Sequence, residues 1–135
     1  PRMLRTPTYH VFHMYKYHQD ADLVESYLDG VETIGEEKEY MVPSLQESVS
    51  VDKEGILTIT LNNLSVDKNE PVEISFAECQ TKEVTAAILN NEMHAYNTFE
   101  DPDKVHEEVF SNYTVENGMI RFTMPASSVV QFRVR

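Results

Sequence analysis

Three of the five histidines, His10, His13 and His18, crowd near the start of the chain and invite a metal-binding reading. His10 and His13 stand three apart and could share one face of a helix. Only those two would point together, however, and no carboxylate-bearing motif such as HExxH accompanies them. They read as polar positions of a helix at a domain junction, and no metal centre is expected. Glu100-Asp101-Pro102-Asp103 could offer oxygens to calcium, but it lacks the glycine and the spaced ligands of an EF-hand loop and reads as a solvated acidic turn. Cys79 is the one cysteine, so no internal disulfide and no Cys/His zinc spacing exists. It reads as a small buried hydrophobe. Seven Tyr and six Phe without any Trp could form a sugar-stacking platform, yet most fall at core-patterned positions or in the first helix. Asn63-Leu64-Ser65 and Asn112-Tyr113-Thr114 match the glycosylation pattern, from which no function is read. No cofactor is expected.

The elements that would position these groups fit in 135 residues, the usual size of one domain. Such a chain buries roughly two-thirds of its unfolded surface. A hydrophobic content of 41% is too high for a disordered segment. The formal net charge of -12 repels nucleic acid and anionic membranes. The longest apolar run falls far short of a membrane span. The opening Pro1-Arg2-Met3-Leu4-Arg5 carries no initiator Met and no signal-peptide pattern, so the chain is expected to be a piece of something larger.

Thr6 is a good N-cap and Pro7 suits the first helical position, so a helix is expected to follow. Tyr9, Val11, Phe12, Met14, Tyr15 and Tyr17 surround that helix rather than forming one stripe, which demands burial on every side. Roughly 18 Å of such helix fits between two domains. A strand is expected over Leu23 to Leu28, then a polar stretch from Asp29 to Glu39. The period then changes to two. Leu45, Val49 and Val51 alternate with polar residues, Asp52-Lys53-Glu54-Gly55 turns, and Leu57, Ile59 and Leu61 alternate with Thr58 and Thr60. This reads as a hairpin with one wet face. Strands follow at Val72-Ile74-Phe76, Val84-Ala86-Ile88, up to Val115, at Ile120-Phe122-Met124 and at Val130-Phe132-Val134. Asn117-Gly118 is a strong hairpin signal, and Pro125 marks the last turn. Six or more short antiparallel strands with one apolar face call for a two-sheet, jelly-roll-like β-sandwich. The long stretch Asn90 to Glu108 holds Met93, His94, Tyr96 and Phe99 and is expected to pack down on something.

Three motifs carry a resemblance. Thr6-Pro7-Thr8-Tyr9-His10-Val11-Phe12, continuing through Met14-Tyr15-Lys16 to His18-Gln19-Asp20-Ala21, resembles the segment that closes the (β/α)8 barrel of family 51 α-L-arabinofuranosidases. Asn97-Thr98-Phe99 with Pro102 and Val105, and the ending Met124-Pro125-Ala126-Ser127-Ser128-Val129-Val130, are similar to that family in order and spacing. The resemblance covers nearly the whole chain. It departs at His13, where the family commonly has an acid, and at Tyr17, where a valine is frequent.

The resemblance implies a parent enzyme with a catalytic barrel and a C-terminal jelly roll. That parent releases terminal arabinofuranosyl groups from arabinan or arabinoxylan with retention, through two Glu that lie on the barrel and outside this chain. It implies residues 1–21 as the end of the barrel and 22–135 as the sandwich. The barrel is then the partner, a homo-oligomer is implied, and the arabinose-containing polysaccharide is met through the parent. Tyr9, Phe12, Met14 and Tyr15 are expected at the domain interface. If Met3 to Arg5 ends the eighth barrel strand, Thr6, Thr8, Tyr9 and His10 follow at the rim, where barrel enzymes hold their active sites. They are read as supporting structure, with no substrate-binding residue assigned. The other function class is a free-standing carbohydrate- or protein-binding sandwich, which would not need a helix apolar on all sides.

Overall fold

A computed structural model describes residues 2–37, 40–76 and 83–135. Cys79 lies outside them. Helix α1 spans Pro7–Tyr15. Thr6 caps it in extended backbone, its hydroxyl accepting from the Tyr9 amide at 3.3 Å, while Pro7 occupies a first-turn position that needs no donor. A 3-10 turn, Lys16–His18, extends the helix. Asp20, with φ 58, then redirects the chain.

Eleven strands follow among the described residues: β1 Asp22–Leu23, β2 Thr33–Ile34, β3 Val42–Pro43, β4 Leu45–Val51, β5 Leu57–Asn63, β6 Glu70–Ser75, β7 Val84–Asn90, β8 Glu108–Val109, β9 Tyr113–Glu116, β10 Met119–Met124 and β11 Ser128–Val134. One antiparallel sheet runs β1-β4-β5-β11-β7-β8 and a second runs β6-β10-β9, with β2 and β3 forming a small separate pair. The expected sandwich is therefore present. Its core lies between the two sheets, where Val130, Phe132 and Val134 of β11 face Ile120, Phe122 and Met124 of β10. Phe132 meets Phe122 edge-on at 4.9 Å and Tyr113 at 5.3 Å, geometries that suit aromatic quadrupoles. Asn117 and Gly118 both take positive φ, 51° and 72°, which makes the two-residue turn whose twist matches the flanking β9 and β10. The turn after β4 is held by Asp52, whose carboxylate accepts from the amides of Glu54 and Ile56.

Two expectations need correction. The strand expected over Leu23 to Leu28 is only β1, Asp22–Leu23, paired with Val51 and Ser50 at the sheet edge. The Val24 amide still donates to the Val49 carbonyl, but Leu23 and Tyr27 are exposed while Leu28 packs on the core, so no alternation of faces carries the strand further. The hairpin β4–β5 has no wet face at its centre: Thr58 and Thr60 are 1% and 0% exposed. Helix α1 and the 3-10 turn lie across the outer face of the six-stranded sheet, so that sheet is covered on both sides. Gln131, which also faces outward from β11, is buried for the same reason. Its amide donates to the Met14 carbonyl at 2.7 Å and to Thr60 Oγ1 at 2.8 Å, which satisfies a polar group that burial would otherwise penalise.

Candidate functional site

The candidate site is the assembly of α1 with the long loop between β7 and β8. Met14, 1% exposed, packs from the helix onto the sheet with Leu89 and Val105, flanked by Val11, Ala87 and Val129. Tyr15 Oη accepts from Asn62 Nδ2 at 3.0 Å. The His18 ring bridges Ser50 Oγ at 2.7 Å and Thr60 Oγ1 at 2.8 Å. Burial lowers its pKa and so favours the neutral imidazole, whose one donor and one acceptor both find hydroxyl partners.

The long loop packs down on the helix. Asn97, itself buried, donates to the carbonyls of Arg5 and Val105, each at 2.8 Å, and accepts from the Val105 amide at 2.6 Å. One side chain thus closes the loop on itself and ties it to the segment ahead of α1. At the far end of the loop Glu107 reaches the helix. Its carboxylate accepts from His13 Nδ1 at 2.8 Å and stands 3.3 Å from His10 Nδ1. Lys16 Nζ lies 2.9 Å from His13 Nε2. His10 Nε2 is buried without a partner among the described residues.

His10 and His13 therefore share a helix face, and His18 stands apart from them. The residue missed in the sequence is Glu107, which no local pattern links to helix positions 94 and 97 residues away. No group of three or more His, Cys, Asp or Glu side chains among the described residues is placed to hold a metal ion. The acidic turn from Glu100 to Asp103 is exposed, and the Asp101 amide donates to Thr98 Oγ1. Asn63 is buried and spends its amide on the carbonyls of Lys68 and Pro125, so it offers no glycan attachment point in the folded chain, whereas Asn112 is exposed.

The outward side of this assembly is aromatic. Phe12 is 74% exposed, and Tyr9 is exposed beside it, stacked on His13 at 5.9 Å. Tyr96 and Phe99 project from the loop, 66% and 49% exposed. Arg5 lies over the Tyr9 ring, and Arg2 lies over the Phe99 ring while donating to the Phe99 carbonyl. Thr8 is exposed, and Thr6 is occupied as the cap. Of the four residues expected at a domain interface, Met14 is spent on the sandwich, Tyr15 is half-buried beside Asn62, and Tyr9 and Phe12 face outward. No helix among the described residues is long and apolar enough to cross a membrane.

This geometry can be set beside known proteins. A family model described as the α-L-arabinofuranosidase C-terminal domain matches residues 1–128. An intracellular exo-α-L-arabinofuranosidase of Bacteroides ovatus is 31% identical over 134 residues, which are 98% of this chain and 26% of that protein. The crystal structure of the GH51 arabinofuranosidase from Xanthomonas axonopodis pv. citri aligns with a TM-score of 0.90 and 28% identity over 99% of this chain and 27% of its own. The α-L-arabinofuranosidase of Thermotoga maritima aligns with a TM-score of 0.83 over 97% of this chain and 29% of its own, and at 22% identity it shows a shared fold. The chain spans about a quarter of the length of these relatives. With the family model matching residues 1–128 and the Bacteroides ovatus relative aligned over 98% of the chain, the chain belongs to the α-L-arabinofuranosidase C-terminal domain family.

Proposed function

We propose that this chain is the non-catalytic C-terminal part of an α-L-arabinofuranosidase, and that it packs on and stabilises that enzyme's (β/α)8 barrel. The parent releases terminal arabinofuranosyl residues from arabinan or arabinoxylan by retaining hydrolysis. Residues 1–21 belong to the end of the barrel and residues 22–135 to the sandwich, and the full enzyme is a homo-oligomer. The observation that carries this reading is the division of α1. The helix buries Met14 on the sandwich and turns Phe12 outward, 74% exposed. A large aromatic beside Tyr9 on a helix already docked by its opposite face calls for a second covering surface.

Both carboxylates of the reaction belong to the parent's barrel, outside this chain. Retaining hydrolysis takes an acid/base and a nucleophile about 5 Å apart. The carboxylate at the helix–loop junction, Glu107, is held instead by two imidazoles. The test is incubation of the purified 135-residue chain and of the full-length enzyme with an aryl α-L-arabinofuranoside. Turnover by the full-length enzyme alone is expected. Turnover by the chain alone, abolished by Glu107→Gln, would overturn the reading.

A further inference from the structure

We propose that the long loop between β7 and β8 forms one wall of the parent enzyme's substrate cleft, with Tyr96 and Phe99 as the surface against which the sugar chain beyond the cleaved bond lies. This rests on the reading of the parent as an arabinofuranosidase.

Position comes first. The loop is tied to the segment ahead of α1 at two points: Asn97 Nδ2 donates to the Arg5 carbonyl at 2.8 Å, and Arg2 donates to the Phe99 carbonyl at 3.2 Å. In a (β/α)8 barrel, the residues between a strand and its following helix stand at the end where the active site is built. With Met3 to Arg5 read as the end of the eighth barrel strand, directly ahead of the Thr6 cap, a loop hooked to residues 2–5 is held at that end and not at the opposite one.

Order comes second. Asn97 bonds Val105 in both directions, and Val105 is buried against the Met14 cluster. Thr98 and Asp101 close the tip through a side-chain and a backbone hydrogen bond. Tyr96 and Phe99 are presented by a closed hoop, so a ligand that meets them has little ordering entropy to overcome.

Chemistry comes third. Tyr96 and Phe99 are exposed in the loop while Asn97 between them is buried; Arg2 lies over the Phe99 ring, and Glu100 and Asp101, next in sequence, are exposed. The centres of dry protein interfaces are depleted in such charges, because docking would strip their water without replacing it. A sugar chain instead lays its C–H faces on aromatic rings and offers hydroxyls to carboxylate and guanidinium groups that stay wet. On the Phe12 side the carboxylate near Tyr9 is Glu107, which is already engaged by His13 and His10, and that side suits the barrel contact.

The experiment compares full-length wild type, Tyr96→Ala, Phe99→Ala, Tyr96→Phe and the remote surface variant Tyr27→Ala on two substrates. One is an aryl α-L-arabinofuranoside, which has no sugar beyond the cleaved bond, and the other is an arabino-oligosaccharide. Tyr96→Ala or Phe99→Ala should lower kcat/KM for the oligosaccharide by about tenfold, the scale of one lost aromatic contact. The aryl substrate should be cleaved as by wild type. Tyr96→Phe should keep the wild-type ratio between the substrates, and Tyr27→Ala should change neither rate. Equal losses on both substrates with a lowered melting temperature would place the rings against the barrel and overturn the proposal, as would no loss on either. A wild type that cleaves neither substrate would instead overturn the arabinofuranosidase reading on which the proposal stands.

Discussion

Replacing Phe12 by Ala separates a surface aromatic from an interface aromatic, because the same side chain is in two different environments. In the chain alone Phe12 is 74% exposed, and truncation there removes little packing. Surface changes of this kind shift stability by less than about 0.5 kcal/mol. In the full-length enzyme the exposed share is expected to be covered. A phenylalanine buries on the order of 200 Å², so covering three-quarters of it removes about 150 Å² from water. At about 25 cal/mol per Å² that is roughly 4 kcal/mol, inside the range of about 3–5 kcal/mol for lost core aromatics. Thermal unfolding of wild type and Phe12→Ala, each as the isolated chain and as the full-length enzyme, reads the difference. The melting temperature should fall clearly in the full-length enzyme and barely in the chain, with activity per folded molecule mostly retained. The same small shift in both would refute the assignment of this helix face to the barrel.

Met14→Ala should destabilise the isolated chain by about 2–5 kcal/mol, as for other buried Met truncations, and urea unfolding measures it. A loss below about 1 kcal/mol would mean that α1 is not docked on the sheet. Asn97→Ala leaves the Val105 amide and the Arg5 and Val105 carbonyls without their partner. It should cost about 1–3 kcal/mol and speed hydrogen exchange at the Val105 amide, and unchanged exchange there would count against the clasp. His18 titrates below its ordinary range because of burial, so the unfolded chain takes up its proton at higher pH than the folded chain. Its stabilising share is complete above about pH 6.5 and is lost as pH falls from there to the lowered folded value. Urea midpoints of wild type should therefore drop more steeply below that pH than those of His18→Gln, and parallel curves would remove His18 as the cause.

Much of the sandwich was legible because its strands report their own burial. The alternations Ile120-Phe122-Met124 and Val130-Phe132-Val134 have one face packed between sheets, and Asn117-Gly118 supplies the two positive φ angles that its turn requires. The start of α1 was legible from Thr6-Pro7 for a similarly local reason. What depends on distant covering was not. Thr58, Thr60 and Gln131 are polar in type, and only the arrival of α1 on the outer face buries them. The two-residue strands β1, β2, β3 and β8 are too short to show a period. At the candidate site the helix face of His10 and His13 was visible as a spacing. Glu107 joins it across more than ninety intervening residues and carries no signal of its own.

The place of β11 in its sheet has a consequence for biosynthesis. Ser128–Val134 sits between β5 and β7, paired residue by residue with Leu57–Asn63 on one side and Val84–Asn90 on the other. As the polypeptide leaves the ribosome, both neighbours emerge first, each with an edge that has no mate. Those edges are apolar on the inner side and open to pairing with other chains until the middle strand arrives. Closure then joins segments far apart in sequence, which is a slow step for a β-rich topology. During synthesis this region is exposed to aggregation for as long as β11 is missing, and it is there that a chaperone would have the most to protect.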